Sequence, residues 1–232
     1  MKVLVTGASK GIGEGIATFL GRNGHQLGLL ARSEDLLKQV QERVRNEGGE
    51  AEIQKCDLRD PDNVHKSIEN LIDRMSGVDA LINNAGLVIR KDAFEISLEE
   101  WRAMMETNVH GLFYATRTVL PYMKEQGSGH IINVSSISGH TPLAGGSGYA
   151  ASKYAVTGFS ESLFLEIRNH GIKVTTIFPG SVDSKSHRHD PAEDTEWKVQ
   201  PEEVGEACHH ILTTRQFNLI SKLEIRPLRK PS

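Results

Sequence analysis

Short apolar runs rich in β-forming residues alternate along the chain with longer stretches of helical periodicity. The runs are Val3–Val5, Leu27–Leu30, Ala51–Gln54, Ala80–Ile82, Ile131–Val134, Val174–Phe178 and Leu219–Ile225. Between Ser33 and Asn46, Leu36, Leu37, Val40 and Val44 recur on one helical face, and Gly48-Gly49 stops that helix. Strands alternating with helices of these lengths predict βαβ units. The implied fold class is α/β, a doubly wound parallel sheet of about seven strands with helices on both faces. No repeat, low-complexity block or linker interrupts the rhythm, so residues 1–232 read as one domain. Two segments depart from it, the glycine-rich Gly139–Gly148 and the polar Ser184–Gln200. Both follow predicted strand carboxyl ends, where doubly wound sheets place their ligands, and 184–200 reads as a substrate lid.

Composition narrows the class of protein. The charged fraction is 25% and the net charge −3 with both signs interspersed, which argues against a nucleic-acid-binding surface. No apolar run approaches the ~20 residues needed to cross a bilayer, so no membrane partner is expected. No secretory signal opens the chain. Cys56 and Cys208 are the only cysteines, which gives neither a disulfide framework nor a zinc signature and reads as reduced thiols in a cytoplasmic protein. His187, His189, His209 and His210 lack the spacing to other ligands that a metal site needs and read as surface histidines.

Candidate chemistry begins directly after the first strand, at Thr6-Gly7-Ala8-Ser9-Lys10-Gly11-Ile12-Gly13. Gly7 permits a tight strand-to-helix turn, Gly11 a close approach to a pyrophosphate, and Gly13 close packing of the helix. The helix N-terminus then offers N–H groups and positive dipole to phosphates. Sites for NAD usually carry an acidic residue at the end of the second strand; here Arg32 and Ser33 stand there instead. With Lys10 as a second cation, that end predicts NADP(H), because Arg32 can pair with a 2′-phosphate. Glu34 and Asp35 belong to the first turn of the next helix, where carboxylates suit the dipole.

A second constellation lies further along. Tyr149 and Lys153, four residues apart at the start of a helix running to about Asn169, share one face. A free tyrosine with a pKa of about 10 transfers protons poorly at neutral pH. An ammonium at about 5 Å, with an effective dielectric near 20, favours the phenolate by roughly 3 kcal/mol and brings the group towards neutrality. Tyr149 can then exchange a proton with a carbonyl oxygen as hydride moves. Ser136, thirteen residues earlier at the end of the fifth strand, can hold that oxygen against the Tyr149 hydroxyl. Asn83-Asn84-Ala85-Gly86 ends the fourth strand, and Asn108 is an unexpected polar residue inside the helical stretch Leu98–Glu125.

Taken in order, the glycine motif, Asp57, Asn83–Gly86, Asn108, Ser136, Tyr149-xxx-Lys153 and Pro179-Gly180 resemble the short-chain dehydrogenase/reductase family over residues 1 to about 184. The resemblance implies that Tyr149 is the acid/base and that Lys153 lowers its pKa and binds the nicotinamide ribose. It implies that Ser136 orients the substrate and that Asn108 holds a water of the proton relay. The cofactor set it implies is Gly7, Ser9, Lys10, Gly11, Ile12 and Gly13, with Arg32 and Ser33; Asp57 and Leu58 at the adenine; Asn84, Ala85 and Gly86 along the cleft; Tyr149 and Lys153; and Pro179, Gly180, Val182 and Ser184 around the nicotinamide.

The resemblance implies reversible hydride transfer between NADP(H) and a small alcohol or carbonyl. Two other readings are a 3-oxoacyl-carrier-protein reductase and a non-catalytic NADP-binding regulator. The C-terminal Leu223–Leu228 lacks the glycine-rich ending common in fatty-acid-synthesis reductases of the family, which disfavours the first; the intact Asn108, Ser136, Tyr149 and Lys153 disfavour the second. The substrate pocket is expected at Leu87–Arg90, His140–Gly146 and Ser184–Trp197, with Trp197 either capping substrate or anchoring the lid. Phe113, Phe159 and Phe164 are expected in the core. The helices Leu98–Glu125 and Tyr149–Asn169 resemble a family interface, so a homodimer or homotetramer is expected.

Overall fold

A computed structural model describes residues 1–184 and 195–229. Seven parallel strands form one sheet in the order β3-β2-β1-β4-β5-β6-β7. They are β1 (Lys2–Thr6), β2 (Gln26–Ala31), β3 (Glu50–Lys55), β4 (Ala80–Asn83), β5 (Gly129–Val134), β6 (Ile172–Pro179) and β7 (Lys222–Ile225). Successive side chains of a strand point to opposite faces, so each inner strand supplies two cores. In β2, Leu27 and Leu29 join the layer under α1 (Gly11–Arg22), α2 (Glu34–Asn46) and α7 (Pro201–Leu212). Leu30 of the same strand joins the layer under α3 (Pro61–Met75), α5 (Gly111–Gln126) and α6 (Ser147–Ile167). The strand order reverses between β1 and β4, which opens a crevice at their carboxyl ends.

Local chemistry sets the helix starts. Ser33 caps α2 by accepting from Leu36 N–H at 3.5 Å, and Glu34 and Asp35 fall in its first turn as expected. Asp60 caps α3, with Pro61 in the first turn. Ser97 and Glu100 form a reciprocal capping box on α4 (Leu98–Met105). Helix α7 crosses α1 where glycines meet. A Cβ on Gly205 would stand 2.8 Å from the Gly15 carbonyl oxygen, and one on Gly15 would stand 2.4 Å from the Pro201 backbone.

Four expectations need correction. The stretch Leu98–Glu125 is not one α-helix: a π turn at Glu106–His110 separates α4 from α5. Pairing in the last strand begins later than Leu219, because the Ile220 carbonyl accepts the Thr175 hydroxyl at 2.7 Å instead of a ladder N–H. Phe113 is 43% exposed and does not belong to the core, whereas Phe159 and Phe164 pack partly buried against it. His209 is not a simple surface group: its Nδ1 lies 3.0 Å from His25 Nε2, beside Phe19. Among the described residues no helix is long and apolar enough to cross a membrane.

Two buried histidines make the fold acid-sensitive. His130 Nε2 sits 2.8 Å from the Thr175 hydroxyl oxygen. Thr175 spends its own proton on Ile220, so the His130 ring donates from Nε2. Burial, with nearby Lys173 second, pushes His130 down to about 3, and burial first pushes His25 down to about 4. Both groups bind protons more readily unfolded than folded. Their stabilising effect is therefore complete above pH 6.5 and is lost as the pH falls towards 4 and then 3. Denaturant unfolding should show stability lower at pH 5.5 than at 7.5 by about 1 kcal/mol per buried histidine; equal values would contradict this account.

Candidate active site

The reversal between β1 and β4 is stitched by side chains. The Thr6 hydroxyl oxygen accepts from the N–H groups of Asn84 (3.1 Å) and Ala85 (3.2 Å). The Asn84 amide in turn donates to the carbonyls of Thr6 (3.1 Å) and Gly7 (3.2 Å). Beyond this stitch lies a cleft of about 410 Å3. Its wall runs from Arg32, Ser33, Asp57 and Leu58, past Gly7 to Ile12 and Asn84 to Gly86, to Tyr149 and Lys153.

The glycine loop has physical reasons for each glycine. Gly7 (φ 65°) and Gly11 (φ 56°) occupy the left-handed region that side chains disfavour. A Cβ on Gly13 would stand 2.2 Å from the Gly7 carbonyl oxygen and 2.5 Å from the Asn84 amide nitrogen, so helix and loop pack backbone to backbone. The close neighbour of Gly11 is the chain itself, since a Cβ there would stand 2.5 Å from the Ser184 carbonyl oxygen. Lys10 at the start of α1 makes no side-chain cap, which leaves first-turn N–H groups for a ligand. An uncapped helix start, a glycine cradle and an elongated cleft fit the pyrophosphate of a dinucleotide.

At one end of the cleft Arg32 is exposed on the wall, while Glu34 is drawn off by Lys38 at 2.9 Å. Asp57 is engaged more firmly than its sequence position suggested. Arg59 donates from Nη2 to Asp57 Oδ2 (2.6 Å) and from Nε to Oδ1 (3.0 Å). The Arg59 guanidinium holds the Asp57 carboxyl below the usual carboxylate range. Arg59 also lines the cleft, and sequence reasoning missed it. The signal was its place two residues after Asp57, where its N–H closes a turn onto Asp57 Oδ1 at 3.1 Å.

At the other end α6 begins with Gly148 pressed against α4. A Cβ there would stand 2.8 Å from Ile96 and 2.9 Å from Met104. Tyr149 is 7% and Lys153 5% exposed. The Lys153 amine donates to the Val134 carbonyl at 2.9 Å and lies 6.0 Å from the Tyr149 ring centroid. Burial pushes Lys153 down to about 8. A Cβ on Gly86 would stand 3.6 Å from Lys153 Nζ, an ordinary contact distance, so Gly86 lies directly beside the amine.

Asn108 sits in the π turn and is buried. Its Oδ1 accepts from Leu87 N–H (2.7 Å), and its Nδ2 donates to the Leu87 carbonyl (2.9 Å) and to Ser152 Oγ (2.9 Å). Both side-chain amide hydrogens are thus spent on protein partners. Of the two serines after β5, Ser135 is buried and donates to the Lys153 carbonyl at 3.1 Å. Ser136 is only half-buried, and its Oγ accepts from Ser138 N–H at 3.1 Å. Ser184 reaches the cleft wall, whereas Pro179, Gly180 and Val182 do not line it. The Gly180 N–H is spent on the Ile225 carbonyl at 2.8 Å, and Val182 bridges Val199. His187, His189 and most of the 184–200 segment lie outside the described residues. Among the described residues no three metal-ligating side chains gather.

Residues 1–195 match the short chain dehydrogenase family. The chain belongs to that family. It is 34% identical to an uncharacterised oxidoreductase of Staphylococcus saprophyticus, over 97% of this chain and 95% of that protein. Among solved structures, an alcohol dehydrogenase of the archaeon Thermococcus sibiricus, complexed with 5-hydroxy-NADP, is 30% identical with a TM-score of 0.91 and covers 100% of this chain and 99% of its own. The closed form of serine dehydrogenase complexed with NADP+ is 32% identical with a TM-score of 0.91, covering 100% of this chain and 97% of its own. This member of the short-chain dehydrogenase family is an oxidoreductase.

Two glycines give opposite expectations. Gly13→Ala must push apart the loop and α1, and should cost about 2 kcal/mol, a fall in melting temperature of several degrees. Gly158→Ala in α6 meets nothing within 4 Å and should be neutral or stabilise by up to roughly 1 kcal/mol. Calorimetry of the two variants checks both signs.

Proposed function

We propose that this oxidoreductase moves hydride reversibly between NADP(H) and a small alcohol or carbonyl compound, with Tyr149 as general acid and base. The observation that carries the reading is the Lys153 amine. It is buried, hydrogen-bonded to a carbonyl, and 6.0 Å from the Tyr149 ring. No carboxylate pairs with it among the described residues, although burying an amine without a counter-charge is costly. A phenolate forming on Tyr149 supplies that counter-charge. At an effective dielectric near 20, an ammonium and a phenolate about 6 Å apart attract by about 3 kcal/mol.

The dinucleotide, when bound, supplies or accepts the hydride. Lys10, Gly11 and Ile12 hold its pyrophosphate, and Arg32 meets the 2′-phosphate. The Tyr149 hydroxyl gives its proton to the substrate carbonyl oxygen, or takes one from the alcohol in reverse. Ser136, the serine whose hydroxyl is not spent on α6, orients that oxygen. The preference for NADP(H) is supported by Arg32 and Lys10 on the cleft wall, by Glu34 turned to Lys38, and by the NADP-type ligands of the two solved relatives.

Tyr149→Phe should abolish turnover of every member of a panel of ketones, aldehydes, sugars and diketones, while NADPH fluorescence still reports binding. Retained activity would refute the acid/base role. Catalytic efficiency should be at least tenfold higher with NADPH than with NADH, and Arg32→Ala should narrow that ratio. A wild-type preference for NADH would overturn the cofactor assignment.

A further inference from the structure

We propose that Ser152 is a positioning residue for Tyr149, acting as the middle link of a clamp that runs from Asn108 to the Tyr149 main chain. The inference rests on the acid/base reading of Tyr149. Ser152 is wholly buried. Its Oγ accepts from Asn108 Nδ2 at 2.9 Å and donates to the Tyr149 carbonyl at 2.8 Å. Serine inside a helix often bonds back to a carbonyl of the preceding turn, so the second bond alone says little. The first spans 44 positions and ties that local bond to another element.

The start of α6 explains why such a clamp is needed. Gly146 at the N-cap has no side chain with which to hold the first turn, and no side-chain cap is made. An uncapped first turn frays, yet this one carries Tyr149. Asn108 grips Leu87 through both its amide atoms, so its own position is fixed by the loop after β4. Ser152 passes that fixed position to the Tyr149 carbonyl. The cleft wall, the π turn and the first turn of α6 are thereby referenced to one another, which sets the phenol against Lys153. Displacement of a reacting group by about 1 Å can cost a hundredfold in rate.

The clamp is tested with the fastest carbonyl substrate of the panel. Ser152→Ala should lower kcat tenfold or more while the NADPH dissociation constant stays within twofold. Asn108→Ala should lose at least as much, and the double variant should be no slower than Asn108→Ala, because both break one link. Ser152→Thr and Ser152→Val have the same shape and differ in the hydroxyl; Thr should recover activity relative to Val. Without any substrate, the amide hydrogens from Ala150 to Lys153, the first in α6 with helical acceptors, should exchange faster in Ser152→Ala than in the wild-type protein. A Ser152→Ala enzyme within twofold of wild-type kcat, losses that multiply in the double variant, Val equal to Thr, or unchanged exchange would each overturn the clamp. An active Tyr149→Phe enzyme overturns the acid/base reading and this inference together; an inactive one beside a fully active Ser152→Ala enzyme overturns the clamp alone.

Discussion

A lysine amine kept almost dry against a main-chain carbonyl is the constraint around which the cleft is arranged. Lys153 is held there because β5 ends with the Val134 carbonyl facing its amine. Burial makes its charge costly and, for the same reason, makes that charge effective on a neighbouring phenol. Ser135, Thr157 and Gly139 then surround the backbone of the same helical turn: Ser135 Oγ donates to the Lys153 carbonyl at 3.1 Å, and the single Thr157 hydroxyl proton lies between that carbonyl and the Gly139 carbonyl, 3.1 Å from each oxygen. Much of the polar chemistry beside the cleft thus holds one side chain in place.

A second polar layer lies beneath that turn. Asn83 on β4 donates to Thr116 on α5 (3.0 Å) and to Asn133 on β5 (2.9 Å), and Asn133 donates to Ser160 on α6 (2.8 Å). Apolar residues would fill this space, but they would not fix the rotation of α5 and α6 about their axes. Directional bonds do, because hydrogen bonds weaken steeply when misaligned. The first asparagine of Asn83-Asn84 therefore serves the scaffold, while the second serves the glycine loop.

How much of this was legible in the sequence follows from the kind of signal each feature leaves. The strands were legible because burial on two faces writes continuous apolar runs, as in Val3–Val5 and Ala80–Ile82. The glycine cradle was legible because Gly7, Gly11 and Gly13 each answer to a steric demand. The π turn was not, since one widened turn barely disturbs helical periodicity and only the oddity of Asn108 hinted at it. The overrun of the last strand to Leu219 came from apolarity without knowledge of the Thr175 hydroxyl. Arg59 and Ser152 were invisible for a shared reason: each acts through a partner, and pairings such as Asp57–Arg59 and Asn108–Ser152 leave no pattern in one sequence.

The crossing of α1 and α7 carries a consequence of another kind. Gly15 and Gly205 let the two helices touch backbone to backbone, and α1 is the helix whose first turn forms the phosphate cradle. Substitution at either glycine cannot be absorbed by a side-chain rotamer; it must translate one helix axis relative to the other. The two positions therefore form a single packing unit. A lineage that enlarged one of them would have to move its cofactor cradle as well, so natural or laboratory variants of this enzyme should sample larger residues at neither site unless the opposing helix is rebuilt with it.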